Sequence, residues 1–298
     1  MSKANHTICF IGFGEAGHAI ATSLKASGIT EADLHAFDLK LDDPTKAEDM
    51  RRRMHAAGVI AKPDIKAALE GAALVISVVT ADQANAAATA AAPHIGADTL
   101  YFDMNSCAPG TKQASATLID GAGGCYVDVA VMAPITNRGH QTQMLAASPH
   151  IDAAKTLFDL LQMNVEIVGD KVGEASTIKM LRSVMIKGIE ALTAECFQAA
   201  CRAGVADAVA KSLDASETNQ SWLTRASFNM ERMTTHGIRR AAEMREVVKT
   251  LEDLGISALM TKGTVARQDA FGNLGLDLTQ LDDLHDRMAE IEAKSNGG

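Results

Sequence analysis

Residues 7–28, TICFIGFGEAGHAIATSLKASG, constrain the fold more tightly than any other segment of the chain. A run of apolar, strand-forming residues (Ile8, Cys9, Phe10, Ile11) stops at Gly12-Phe13-Gly14-Glu15-Ala16-Gly17. A helical pattern with apolar Ala19, Ile20 and Leu24 follows, and Gly28 can terminate it. Gly-x-Gly-x-x-Gly alone is a weak signal, but between a strand and a helix each glycine has a purpose. Gly12 permits the tight turn, Gly14 lets the backbone approach a pyrophosphate, and Gly17 lets the helix pack closely on the strand. Free N–H groups and the positive end of the helix dipole then favour phosphate charge. The next apolar run, Leu34-His-Ala-Phe37, ends at Asp38, about twenty residues past the last glycine, where a carboxylate accepts hydrogen bonds from a ribose 2′-OH. These features predict a dinucleotide site on Gly12, Phe13, Gly14, Glu15, Ala16, Gly17 and Asp38. A carboxylate at Asp38 repels a 2′-phosphate, so NAD is expected over NADP, although Lys40 and Lys46 on the following loop are within a flexible loop's reach of such a phosphate.

Short apolar runs continue to alternate with helical stretches. Residues 73–79, 100–103, 124–128, 145–148 and 165–168 read as strands; residues 81–92, 110–119 and 149–163 read as helices. The alternation predicts an α/β domain of Rossmann type, a doubly wound, mainly parallel sheet with ligands at the strands' C-terminal ends. After Gly173 the strand signals stop. Residues 174–202 contain no proline and read as one helix of about 29 residues, some 43 Å long at 1.5 Å per residue. Helices punctuated by Gly237, Gly255, Gly263 and Gly272 follow. The expected organisation is a dinucleotide-binding domain over residues 1–170 and an all-α substrate and dimerisation domain over residues 171–298, joined by the long helix.

The length of 298 residues suffices for two cores, and the net charge of −9 argues against nucleic acid or anionic membrane as partner. No apolar run approaches a membrane span, and residues 1–6 leave little room for a signal peptide, so a cytoplasmic location is expected. The five cysteines show no metal-ligand spacing and read as reduced thiols. No metal is expected.

The glycine fingerprint, Asp38 and the long helix together resemble the β-hydroxyacid dehydrogenase family, which includes 6-phosphogluconate and 3-hydroxyisobutyrate dehydrogenases. Residues 175–183 (ASTIKMLRS), 186–195 (IKGIEALTAE) and 236–244 (HGIRRAAEM) match its branch with a C-terminal domain of the DUF1932 type. The resemblance implies that the nicotinamide lies beside Val79, Thr80, Asn105 and Ser106, and that Lys179 is the catalytic lysine. The asparagine that follows that lysine by four residues in the family is Ser183 here. The family's Asp-x-Pro-Val-Ser-Gly-Gly substrate loop falls on residues 128–134, DVAVMAP, so its anion-binding Ser-Gly-Gly is replaced by Met132-Ala133-Pro134.

A lysine suits alcohol–carbonyl chemistry because it can take the hydroxyl proton, or deliver it, as hydride moves. On a helical wheel Ser183 lies about 40° from Lys179, Glu190 about 20°, Arg182 about 60° and Lys187 about 80°. Lys179, Ser183 and Lys187 are therefore the candidate catalytic residues. Lys187 reads equally as a site cation or a snorkelling surface lysine, and Glu190 as structural. Met132, Arg182, His236, Arg239 and Arg240 are candidate substrate contacts, the last three equally readable as a polar helix face. Trp222 and Phe228 read as core residues of the helical half, the alternative being the lining of an aromatic-tolerant pocket. The expected function is an NAD-dependent oxidoreductase acting on an alcohol or carbonyl; the alternative is a redox-neutral lyase that retains NAD. Apolar Met180, Val184, Leu192 and Phe197 on the long helix predict a homodimer or higher homo-oligomer.

Overall fold

The computed structural model describes residues 7–28, 32–216 and 220–296. Eight strands form one sheet: β1 (Thr7–Ile11), β2 (Leu34–Phe37), β3 (Ile60–Ala61), β4 (Ala72–Ser77), β5 (Leu100–Asp103), β6 (Cys125–Val131), β7 (Met144–Ala147) and β8 (Val165–Gly169). Their spatial order is β3-β2-β1-β4-β5-β6-β7-β8, and every pairing is parallel except β6 with β7. Strand order reverses between β1 and β4, which opens a crevice at their C-terminal ends. The glycine turn closes β1 at that crevice.

Burial explains why the strands read as continuous apolar runs. One face buries Phe10, Leu34, Leu74, Ile76 and Phe102, with Ile20 and Leu24 of α1 (Glu15–Ser27) packed on it. The other buries Cys9, Val75, Tyr101 and Tyr126 under α4 (Ala84–Ala91) and α5 (Pro109–Gly121), including Ala88 and Ile119. Each large apolar side chain so buried contributes about 1.5–3 kcal/mol. Burial also holds the Cys9 thiol protonated, its pKa pushed up to about 12.

Residues 39–71, which the sequence reading left unassigned, contain α2 (Ala47–Ala56), β3 and α3 (Ile65–Leu69). These elements are short, and half of α2 is charged, which hides their periodicity. α6 (Ile151–Leu160) links β7 to β8.

The chain divides into two compact units, Met1–Ser183 and Val184–Gly298. The division falls inside α7 (Glu174–Arg202), later than the residue 170 expected from the end of the strands. The first turn of α7 is tied to the first unit by hydrogen bonds from Gly173 and Ser176 to Asp128. The second unit is helical: the rest of α7, then α8 (Ala206–Asp214), α9 (Trp222–Asp253), α10 (Leu259–Gly272) and α11 (Leu284–Asn296).

Two expected breaks are absent. Gly237 lies within α9 and Gly263 within α10. Gly237 serves packing instead: a Cβ there would sit 2.3 Å from the Gln268 carbonyl oxygen and 2.8 Å from the Gly272 nitrogen. Missing side chains at both residues let α9 and α10 cross backbone to backbone. Buried Glu195 holds the start of α10 in place, accepting from the Met260 and Thr261 amides at 2.9 Å each. Trp222 and Phe228, expected in the core, are 57% and 48% exposed, each with an arginine (Arg225, Arg232) stacked over its ring. No described helix is long and apolar enough to cross a membrane.

Candidate active site

The glycine turn has the geometry that a pyrophosphate needs. Gly12 sits at φ +87°, and a Cβ on it would lie 2.7 Å from the Val78 carbonyl oxygen. A Cβ on Gly17 would lie 2.8 Å from the Gly12 carbonyl oxygen, so these two glycines are required by packing. Gly14 differs: nothing lies within 4 Å of its Cβ position. It is the N-cap of α1, and no side chain caps that helix, so the N-terminal amides can serve an anion. The Phe13 ring is fully buried, edge-on to Phe10 at 6.0 Å. Glu15 is exposed at the mouth and Ala16 half-buried.

Asp38 closes the far side of the turn. Its Oδ2 accepts from the Phe13 amide at 2.7 Å and its Oδ1 from the Lys40 amide at 2.9 Å. The carboxylate is thereby aimed at a cleft of about 460 Å³ bordered by Gly12, Gly14, Asp38, Val79, Thr80 and Ala87. Its size and apolar floor fit an adenosine, and its bare glycine edge fits the phosphates. A larger hollow of about 800 Å³ runs along the outer side of α1 and is an open surface groove.

A second cleft, of about 280 Å³, lies beyond the turn and is bordered by Ala16, Val79, Asn105, Ser106, Ile135 and Lys179. Lys179, half-buried, donates from Nζ to Ser106 Oγ at 2.6 Å. Asn105 is buried, and its amide is committed to the frame. Oδ1 accepts from the Val79 amide at 2.7 Å, and Nδ2 donates to Ser77 Oγ at 3.0 Å. Asn105 therefore braces the loop that presents Ser106 at the border of the cleft. Thr80 is exposed and starts the short turn Ala81–Gln83.

The remaining predicted residues separate. Ser183 Oγ donates back to the Lys179 carbonyl at 2.9 Å. Arg182 is exposed on α7. The side chains of Lys187 and Glu190 lie outside the described residues. The Met132 amide is occupied by the Gln143 carbonyl at 2.9 Å, and its side chain packs against the small cluster of Ala130, Leu145, Ala147 and Ala175. Because Pro134 has no N–H, residues 132–134 offer no nest of free amides for an anion. His236 and Arg239 are exposed and Arg240 half-buried on α9, in the second unit.

Sequence reasoning missed the buried ionic cluster beneath the second cleft. Asp103 and Asp128 face each other in register on β5 and β6, and both are fully buried. Lys112 of α5, also fully buried, lies 2.9 Å from Asp103 Oδ1 and 3.4 Å from Asp128 Oδ1. The Tyr126 hydroxyl donates to Asp103 Oδ2 at 2.6 Å; burial and that carboxylate push the phenol well above its ordinary pKa. A signal was available in the repeated Tyr-x-Asp at the two strand ends, Tyr101-Phe102-Asp103 and Tyr126-Val127-Asp128. Period-two geometry puts both residues of each pair on one face.

The crevice, the bare-edged glycine turn and the Asp38 carboxylate at the border of the cleft define a nicotinamide-dinucleotide-binding protein of the dehydrogenase and reductase class. Residues 7–169 match the NAD-binding domain of 6-phosphogluconate dehydrogenase, and residues 200–271 match the domain of unknown function DUF1932. The chain belongs to the 6-phosphogluconate dehydrogenase-like family, in its branch with a DUF1932 C-terminal domain.

Solved structures agree. A conserved hypothetical protein from Sinorhizobium meliloti 1021 is 33% identical, with 98% of this chain and 97% of that one covered and a TM-score of 0.62. A conserved protein of unknown function, described as structurally similar to 3-hydroxyacid dehydrogenases, is 28% identical over 90% of this chain and 97% of its own, with a TM-score of 0.58. A reductive aminase from Aspergillus terreus, solved with NADPH and ethyl levulinate, shares the fold at 15% identity and a TM-score of 0.67, covering 97% of this chain and 99% of its own.

Proposed function

We propose that the protein is an NAD-dependent oxidoreductase that interconverts an alcohol and a carbonyl compound, with Lys179 as the proton-transfer group. The observation that carries this reading is the 2.6 Å contact between Lys179 and Ser106 at the edge of the second cleft, one residue from the Asn105 brace. The α1 amides and Gly14 hold the pyrophosphate, Asp38 the adenosine ribose, and Val79, Thr80 and Ser106 border the nicotinamide. A bound nicotinamide supplies the hydride acceptor or donor.

Lys179 then does the work at the substrate oxygen. In reduction the ammonium polarises the carbonyl and delivers its proton to the forming hydroxyl; in oxidation the amine removes that proton. Ser106 orients the lysine and is itself in position to bond the same oxygen. With Met132, Ala133 and Pro134 in place of an amide nest, this wall favours an uncharged carbonyl over a small hydroxy acid.

The choice of NAD rests on Asp38. The Aspergillus terreus enzyme was solved with NADPH, and Lys40 borders the same cleft, but the Asp38 carboxylate beside the glycine turn supports NAD. NAD(H) is expected to bind at least tenfold tighter than NADP(H), a difference of about 1.4 kcal/mol, and Asp38→Ala to erode it. Equal affinities in the unaltered protein would contradict the assignment. The reaction itself is tested by a screen of carbonyls and alcohols with both cofactors, read at the nicotinamide absorbance band. Net oxidation or reduction of the cofactor supports the reading, whereas turnover with bound NAD and no net NADH establishes the redox-neutral lyase instead.

A further inference from the structure

We propose that Lys112 is a positioning residue for this site: a buried cation that holds the Asn105–Ser106 loop and the first turns of α7, which carry Lys179, in one fixed arrangement. The inference rests on the reading of Ser106 and Lys179 as the nicotinamide side of a dinucleotide site.

The argument follows the hydrogen bonds outward from the ammonium. On one side Lys112 Nζ donates to both the carboxylate and the backbone carbonyl of Asp103, at 2.9 and 2.5 Å. Asp103 Oδ1 also accepts from the Asn105 amide at 2.9 Å, which sets the turn leaving β5. Asn105 then pins that turn to Val79 and Ser77. On the other side Lys112 faces Asp128, whose Oδ2 accepts from the Gly173 amide at 3.1 Å, the Ser176 amide at 3.0 Å and Ser176 Oγ at 2.9 Å. Asp128 thus anchors the start of α7, and Lys179 follows Ser176 by three residues, just under one turn along the helix. Ser106 and Lys179, the two groups that meet at 2.6 Å, each hang from one of the two carboxylates. Lys112 is the group that joins those carboxylates.

The pair needs such a joint. Asp103 and Asp128 are register partners on neighbouring strands, so without a cation two buried carboxylates would repel across the sheet. Either they would separate, or they would share a proton and change the bonds that each makes. Both outcomes displace Ser106 relative to Lys179. Polar networks in a dry interior act as units, so the loss at one member is felt at the far ends.

Neither Lys112 nor the aspartates border the cofactor cleft, so their effect on binding is confined to the nicotinamide end. The test compares NADH with ADP-ribose, which lacks the nicotinamide and uses only the glycine turn and Asp38. In the Lys112→Met, Asp128→Asn double variant, which removes one charge of each sign, NADH affinity is expected to fall about tenfold, with ADP-ribose within about twofold of the unaltered protein. The ¹³C-methyl NMR signal of reductively methylated Lys179, assigned with Lys179→Arg, is expected to shift in the same variant. Should that variant not fold, Tyr126→Phe, which keeps the ring and removes one donor from Asp103, should move the NADH to ADP-ribose ratio about threefold in the same direction. An unchanged ratio in a folded variant, or an unmoved Lys179 signal, overturns the proposal. If the unaltered protein binds neither NADH nor ADP-ribose, the dinucleotide reading itself fails and the positioning role falls with it.

Discussion

Gly12, Gly14 and Gly17 occur in one motif but answer to different demands. At Gly12 a side chain meets the Val78 backbone and the φ of +87° is adverse, and at Gly17 it meets the Gly12 carbonyl. Gly14 has ordinary φ and open space around it. Gly12→Ala and Gly17→Ala are therefore expected to lower stability, by about 1–3 kcal/mol each, in thermal or urea unfolding. Gly14→Ala should unfold like the unaltered protein yet lose at least tenfold in NADH affinity, because its methyl stands where the backbone must approach phosphate. The reverse pattern would mean that the turn has another purpose. At this scale the sequence was readable where backbone crowding dictates the residue, as at Gly12 and Gly17. It was opaque where a group is committed to a distant partner: Asn105 bonds the Val79 amide and Ser77, and the Phe13 amide is taken by Asp38.

Among the elements, long regular ones announced themselves and short or charged ones did not. Strands β1, β4, β5 and β6 are buried on both faces and read directly as apolar runs, whereas β3 has two residues and half of α2 is charged. The packing of the turn Gly139–Gln141 on α1 was invisible in sequence, because it depends on one buried histidine. His140 Nδ1 meets Ser23 Oγ, and Nε2 is buried without a hydrogen-bond partner among the described residues. Burial holds its pKa below the ordinary histidine value. The unfolded chain therefore binds this proton first. Stability from this contact should be complete above about pH 6.5, decline as pH falls below it, and level off once pH passes the folded value. Melting temperatures across pH 5–7.5 should show a shallower acid decline in His140→Asn than in the unaltered protein. Identical slopes would exclude this histidine as a source of acid sensitivity.

For the whole molecule, the change from alternating strands to helices near residue 170 was legible, but the division after Ser183 was not, since it falls inside the unbroken helix α7. The apolar side chains of the long helix were legible in part: of Met180, Val184, Leu192 and Phe197, read from the sequence as needing a partner, Val184 and Leu192 are exposed. Leu181 and Val184 on α7 are 65% and 68% exposed, and Leu192 is 45% exposed. Such a row on one helix is unusual for a monomer's surface and supports a symmetric dimer built on the helical unit. Light scattering across micromolar concentrations should give twice the chain mass or more, and Val184→Glu should shift it toward the single chain. A monomer throughout that range would refute the assembly.

The central claim is that Lys179 moves the proton while the glycine turn holds the cofactor. It is tested most directly by measuring kcat and NADH affinity together in Lys179→Ala, with a substrate found in the carbonyl screen. The account predicts that kcat falls about 10²–10⁴-fold with the NADH Kd nearly unchanged, and that Lys179→Arg restores little, because a guanidinium does not release its proton. Near-normal kcat in Lys179→Ala, above all alongside a large loss in Lys187→Ala, would contradict it and move the proton carrier two turns along α7.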